Sequence, residues 1–200
     1  MLKADNELIL PVSNYPEPTA MKRFVSYILL FLLFSGYIAT TQGEDIIIDE
    51  TNLSGTIGPG SYITDHNLFV DYTDCLTVLP GTTIKFVSNT SLTVYGCLIS
   101  IGTESSGIFY KSSGTSVKWN GISFPGSKAL ASDPDEILQS RFKYSYFENV
   151  TGPGAIYFSN GNAERTLDSI SYCSFTGVVN AIHILFINQA GFVINNCDFS

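Results

Sequence analysis

The chain has 200 residues and a formal net charge of −8, with 44% hydrophobic and only 14% charged residues. That balance is too apolar for a disordered protein, and so acidic a chain lacks the basic face that nucleic-acid binding needs. Short β-branched runs punctuated by glycine, without the Ala-, Glu- and Lys-rich mixture of helical proteins, indicate one β domain with a real core.

The N-terminal region carries the pattern of an export signal. Lys22 and Arg23 precede an apolar run over residues 24–39, and small and polar residues follow over 40–43. A basic head, an apolar middle and a small-residue tail are the three parts of a secretory signal peptide. The sequence therefore predicts a signal peptide over 21–43 and a secreted or cell-surface protein.

Two details of this segment stay open. Cleavage after Gly43 and cleavage after Ala39 both fit, and we expect the mature chain to begin between Thr40 and Asp45. A retained membrane anchor is the alternative, because the apolar run of 16 residues is just below the roughly 20 that span a bilayer. We interpret residues 1–20, a polar leader ahead of the signal, as a start-site artefact.

Two columns of apolar segments recur in the C-terminal half. The segments of the first column are spaced by 28 and 24 residues, and those of the second by 34 and 26. Strands this short cannot bury a face alone, and no helix-length segment separates them, so they must stack as parallel strands of a solenoid. The first column comprises 142–147, 170–175 and 194–199, and the second comprises 121–124, 155–158 and 181–184.

An earlier stretch fits the same pattern less regularly. Short apolar strands are predicted at 75–78, 83–86, 91–94 and 97–101, with turn residues such as Pro80, Gly81 and Gly96 beside them. The sequence predicts an all-β parallel β-helix over 68–200 of about six turns, roughly 25 residues each. Residues 44–67 are interpreted as an N-terminal lead-in or cap. The last predicted strand ends at the chain end, so we expect a truncated solenoid or self-association through its open end.

The order of several segments resembles a known family. Residues 76–86, 91–96, 101–106 and 119–124 are similar to the opening of secreted right-handed parallel β-helix proteins of the pectate-lyase-like superfamily. The resemblance covers about residues 68–200, and it implies the fold more specifically than any activity. A weaker resemblance links 147–149 and 154–156 to bacterial polymorphic surface proteins, which would imply adhesion.

The pectate-lyase-like resemblance implies a polysaccharide-active enzyme only where the catalytic residues are present. Its lyases bind calcium through carboxylates of adjacent turns and use an Arg or Lys base, and its hydrolases need paired Asp residues. Neither column stacks carboxylates, so we predict no catalytic, cofactor-binding or metal-binding residue. The residues that follow the leading apolar position are Lys143, Ser171 and Asn195 in one column and Ser123, Tyr157 and His183 in the other.

Several residues have both a ligand-binding and an ordinary interpretation. Asp133, Asp135 and Glu136 lie in an insertion that is either a ligand or calcium loop or a solvated acidic turn. Trp119 either stacks on a sugar or packs at the edge of a turn. A set of tyrosines either lines a sugar groove or forms half-buried columns. These are Tyr144, Tyr146, Tyr157 and Tyr172. Of the two histidines, His183 is expected to be an exposed member of its column. His66 is expected to have no Ser or Cys partner.

The four cysteines and three glycosylation sequons are also candidates. Cys173 and Cys197 occupy equivalent positions one turn apart, close enough either for a disulfide or for two stacked free thiols. Cys75 and Cys97 could pair in the same way, with a less secure register. Asn52, Asn89 and Asn149 begin Asn-X-Ser/Thr sequons.

Two functions remain open from the sequence. The first is a non-enzymatic surface module for adhesion, surface structure or carbohydrate contact, with polysaccharide or other surface proteins as partners and no nucleic acid. The second is a polysaccharide-active lyase, epimerase or hydrolase, or an inactive remnant of one. A converging set of carboxylates with an Arg or Lys would favour the enzyme, and a bland Ser/Thr/Asn face would favour the module.

Overall fold

The computed structural model describes residues 43–125, 140–159, 167–185 and 193–200. Within them the chain forms short β-strands and no helix, and so no helix there could cross a membrane. The predicted signal peptide, apart from its last residue Gly43, and the leader before it lie outside the described residues. The strands are β1 Ile46–Ile47, β2 Gly55–Ile57, β3 Gly60–Thr64, β4 Leu68–Val70, β5 Cys75–Val78, β6 Thr82–Phe86, β7 Leu92–Val94, β8 Cys97–Ile101, β9 Ile108–Ser112, β10 Ile122–Phe124, β11 Ser140–Lys143, β12 Ser145–Glu148, β13 Ile156–Phe158, β14 Leu167–Ser171, β15 Ser174–Thr176, β16 Ile182–Ile184, β17 Val193–Asn195 and β18 Asp198–Phe199.

The strands form three parallel sheets that the chain visits in a fixed cycle. Sheet I has the order β1-β3-β6-β9-β12-β15-β18, sheet II has β16-β13-β10-β7-β4, and sheet III has β17-β14-β11-β8-β5-β2. From β2 onward each turn passes from sheet III to sheet I to sheet II, and every strand pairs in parallel with its equivalent in the next turn. The described residues are therefore all-β, with parallel sheets stacked as in a solenoid and compatible with a β-helix.

The strand register confirms both columns found in the sequence. Phe142 pairs with Ile170, and Ile170 with Ile194, in sheet III. In sheet II, Ile122 pairs with Ile156, and Ile156 with Ile182. The recurrence of the same apolar segments in the same order, at unequal spacings, was therefore enough to find the register of the later turns.

The core is a stack of inward-facing columns. In sheet I, Tyr110, Phe147 and Phe175 are fully buried, and their rings stack at centroid distances of 5.2 and 4.9 Å. Burying each such side chain contributes about 1.5–3 kcal/mol, and the stacked geometry adds to it. Trp119 is also fully buried, stacks on Phe86 at 4.2 Å and donates its indole N–H to the Glu148 carbonyl oxygen. It is a core residue and cannot stack on a sugar.

The two outermost described turns differ from the middle. The stretch 44–67, interpreted above as a lead-in, supplies β1, β2 and β3 to the sheets. At β17 and β18 the apolar residues are exposed, with Val193 at 48%, Ile194 at 43% and Phe199 at 56%. The ring of Phe199 still stacks on Phe175 at 5.4 Å, which continues the inward column of sheet I.

Candidate functional site

In three successive turns the chain passes from sheet III into sheet I at a corner of one or two residues, and the first of them has a left-handed backbone. Tyr144 follows β11 with φ 48°, Tyr172 follows β14 with φ 54°, and Asn196 follows β17 with φ 50°. This left-handed conformation is unusual for a bulky residue and is far commoner for asparagine. It points the corner side chain away from the core, and the Tyr144 and Tyr172 rings stack outside it at 4.9 Å.

A second pair of aromatic rings lies on the outer face of sheet I. Successive strand residues face opposite sides of a sheet, so Phe109 and Tyr146 face outward beside the inward Tyr110 and Phe147. Phe109 and Tyr146 are register partners, and their rings stack at 4.8 Å with planes 17° apart. Their column neighbours are small hydroxyl residues, Thr83 before Phe109 and Ser174 after Tyr146.

The two pairs form one surface feature, here called the aromatic corner: Phe109, Tyr144, Tyr146 and Tyr172. Tyr144 and Tyr146 belong to the same turn, two residues apart. Tyr172 is 43% exposed, and the other three rings are half-buried. Gly107 lies under the Tyr146 ring, because a Cβ there would stand within 3 Å of two ring carbons. A glycine at this place lets the ring lie against the backbone.

Charged groups surround the aromatic corner. The Lys143 amine lies 5.5 Å from the Tyr144 ring centroid and 5.6 Å from that of Tyr172, within cation–π range of both. Partial burial, followed by the nearby Glu104 carboxylate, raises the pKa of Tyr144 above its ordinary value, so its phenol stays neutral and can donate. On the outer face of sheet I, Lys111 pairs in register with Glu148.

This arrangement suits flat, hydroxyl-rich ligands. Aromatic rings offer a rigid apolar surface to the C–H face of a sugar ring, at small cost in side-chain entropy. Tyr hydroxyls, the Lys143 amine and the Glu148 carboxylate can hydrogen-bond the sugar hydroxyls around that face. The aromatic corner therefore has the parts of a carbohydrate-contacting surface.

The structure separates the four tyrosines that the sequence singled out. Tyr144, Tyr146 and Tyr172 lie together, whereas Tyr157 lies in sheet II, where it pairs with His183 at a ring distance of 5.3 Å. Phe109 completes the aromatic corner and was missed. Its strand does not carry the repeated motif, and only the register with Tyr146 could have revealed it.

The described residues contain no group of three or more His, Cys, Asp or Glu side chains that could hold a metal ion. The Nδ1 atom of His183 lies 3.1 Å from the Pro153 carbonyl oxygen. His66 lies 2.9 Å from the Asp65 carboxylate, which is the main reason that its pKa is raised. Its other ring nitrogen faces the Glu50 carbonyl oxygen at 3.4 Å. The predicted ligand loop, Asp133, Asp135 and Glu136, lies outside the described residues.

The cysteines form one bonded pair and one pair of thiols. Cys75 and Cys97 are register partners joined by a disulfide, with Cα atoms 4.4 Å apart. Cys173 and Cys197 are free, and each thiol donates to the carbonyl oxygen two residues earlier in its own turn. The side chains thus lie alongside each other. Burial raises the pKa of the Cys173 thiol to about 12, which makes it unreactive as a nucleophile.

The three sequon asparagines lie in different surroundings. Asn52 and Asn89 are exposed, while Asn149 is half-buried.

Comparison of the chain with protein-family models, curated proteins and solved structures found no match.

Proposed function

We propose that this chain is a secreted or cell-surface, right-handed parallel β-helix of the pectate-lyase-like type that contacts carbohydrate without catalysis. The aromatic corner carries this proposal. The corner has four rings outside the core, with an amine over two of them. The inward columns already stabilise the solenoid, so the fold itself does not require these rings. The right hand is supported by the resemblance of residues 76–124 and by the right-handedness of nearly all parallel crossovers.

The charges around the aromatic corner favour a neutral polysaccharide. Lys85, further along the outer face of sheet I, is ion-paired with Asp45 at 2.7 Å, and Lys111 is balanced by Glu148 beside it. At the ring pair itself, the Lys143 amine is offset by the Glu104 carboxylate near Tyr144. The described groups around the aromatic corner therefore leave no net positive charge to overcome the repulsion between an acidic polysaccharide and a protein of charge −8. Uncharged sugar hydroxyls need only the donors and acceptors already present.

A binding measurement on a polysaccharide panel tests the proposal. The protein is incubated with insoluble neutral and acidic polysaccharides, and the bound fraction and any newly released reducing ends are measured. We expect binding to at least one neutral polysaccharide without release of reducing ends. Release of reducing ends or of unsaturated sugars would favour the enzyme instead.

Three variants locate the binding face. Tyr146→Ala and Tyr172→Ala should each weaken binding roughly tenfold, the equivalent of about 1.4 kcal/mol, since each removes one stacking ring. Tyr157→Ala is the matched control, because it removes a half-buried outward tyrosine from sheet II and should leave the affinity unchanged. Equal losses in all three variants would contradict the placement of the site.

We also propose that the described end at β16–β18 supports self-association or contact with another surface protein. Its edge strands β17 and β18 expose Val193, Ile194 and Phe199, and Leu185 is exposed just after β16. Strand edges beside exposed apolar side chains invite pairing. Light scattering over a range of concentrations should detect association, which Phe199→Asp should reduce. A monomer at all concentrations would contradict it.

A further inference from the structure

We infer that the exported chain carries an N-linked glycan on Asn89 and none on Asn149, although both residues begin a sequon. The inference rests on the export assumed in the proposed function and not on carbohydrate binding. It comes from the different environments of two asparagines that occupy the same kind of turn, between sheet I and sheet II, each with a left-handed backbone: φ is 65° for Asn89 and 58° for Asn149.

The Asn89 side chain is open to solvent while its backbone is fixed. The residue is exposed, its N–H donates to the Lys118 carbonyl oxygen at 3.2 Å, and its own carbonyl oxygen accepts from the Asn120 side chain at 2.7 Å. In the part of the chain that the structure describes, the side-chain carboxamide of Asn89 makes no hydrogen bond. A substituent on Nδ2 would therefore extend into solvent and break no contact.

The Asn149 amide is part of the packing between turns. The residue is half-buried, and its Nδ2 donates to the Ser112 hydroxyl at 3.2 Å. Its Oδ1 lies against Gly177 of the following turn, so closely that a Cβ on Gly177 would stand 2.9 Å away. A sugar on Nδ2 would replace one of the two hydrogens of a half-buried group that is already held between Ser112 and Gly177, so we infer that the natively folded chain carries no glycan there.

The modification is an ordinary group transfer. A transferase of the secretory pathway joins sugar C1 to Nδ2, which loses a proton, and the bond from C1 to a lipid-linked diphosphate breaks, so that the lipid diphosphate leaves. The sequon supplies a hydroxyl two residues on, from Ser91 or Thr151. A glycan on Asn89 would lie at the corner from sheet I to sheet II. The aromatic corner lies at the opposite edge of sheet I and would stay open.

Site mapping of secreted protein tests the inference. The full chain is expressed in mammalian cells in two forms, with its own N-terminal segment alone and with a host export signal placed ahead of it. Secreted protein is treated with glycosidase F, which converts each glycosylated asparagine to aspartate, and the sites are read by peptide mass spectrometry. We expect conversion at Asn89 and none at Asn149.

Variants separate the sequons independently of folding defects. Asn89→Gln and Ser91→Ala should each remove one glycan from the intact mass, and Thr151→Ala, at an exposed position, should remove none. A glycan on Asn149 in secreted folded protein, or no glycan on Asn89 in either form, would overturn the inference. A glycan on Asn89 only behind the host signal would support the inference and contradict the proposed export.

Discussion

The inner and outer columns of sheet I are built on the same strands and serve different ends. Tyr110, Phe147 and Phe175 stack inside the solenoid and are fully buried, while Phe109 and Tyr146 stack on the outside and are half-buried. The ring geometry is nearly the same on both sides, so stacking alone does not reveal a role. What differs is how much of each ring is removed from water: the inner rings are fully buried and stabilise the fold, whereas the outer rings stay partly in water, where we propose that a ligand contacts them.

The largest expected effect is in the inner column. Phe147→Ala should lower the free energy of unfolding by about 3–5 kcal/mol, because it leaves a cavity between Tyr110 and Phe175. Chemical denaturation measures this loss. Tyr146→Ala, one residue earlier on the same strand, is the control and should cost less than about 1.5 kcal/mol. Equal losses would mean that the outer column is structural too.

Alkaline pH should distinguish the inner column through Tyr110. Its hydroxyl donates to the Ser100 hydroxyl at 2.9 Å, and burial raises its pKa far above the ordinary value near 10. The folded-state pKa is raised, so this contribution to stability is complete below about pH 10 and is lost as the pH rises toward the folded pKa. Denaturation between pH 9 and 11 should show a steeper decline for wild type than for Tyr110→Phe. Parallel declines would contradict the assignment.

A smaller effect on stability, with a clear effect on binding, is expected at Gly107. In Gly107→Ala the new Cβ would overlap the Tyr146 ring, which can swing outward because it is half-exposed. Stability should fall by about 1 kcal/mol, and polysaccharide binding should fall as it does in Tyr146→Ala. Gly114→Ala is the control, since its Cβ would meet only the Val117 side chain at 3.5 Å. Unchanged binding in Gly107→Ala would show that the ring position does not matter.

The sequence was sufficient for the stacked parallel strands and insufficient for the surface. Phe142, Ile170 and Ile194 recur because they are register partners at the same place in successive turns, buried in the first two and 43% exposed in the last described turn, and that recurrence can be read directly. The sequence could not reveal that Phe109 pairs with Tyr146. Residues 102–107 lie between β8 and β9, so the distance between these two strands differs from that in the later turns. Nor could spacing show which cysteine pair forms a disulfide. Both pairs, Cys75–Cys97 and Cys173–Cys197, are in register, and they differ only in the direction of their side chains.

The sequence was also insufficient to distinguish the side-chain amides of the two sequons. Asn89 and Asn149 have equivalent sequons, and the sequence offers no reason to prefer either one. The contact of Asn149 with Ser112 and Gly177 joins three turns of the solenoid, so it exists only in the folded chain.

The most direct test of the central claim is a titration of isotope-labelled protein with the soluble oligosaccharide of whichever polysaccharide binds, followed by NMR. The amide and side-chain signals of Phe109, Tyr144, Tyr146 and Tyr172 should shift together, with one dissociation constant, while those of Phe147 and Phe175 stay nearly in place. Shifts centred instead on Ser123, Tyr157 and His183, the outward column of sheet II, would contradict the account and move the site to a different face.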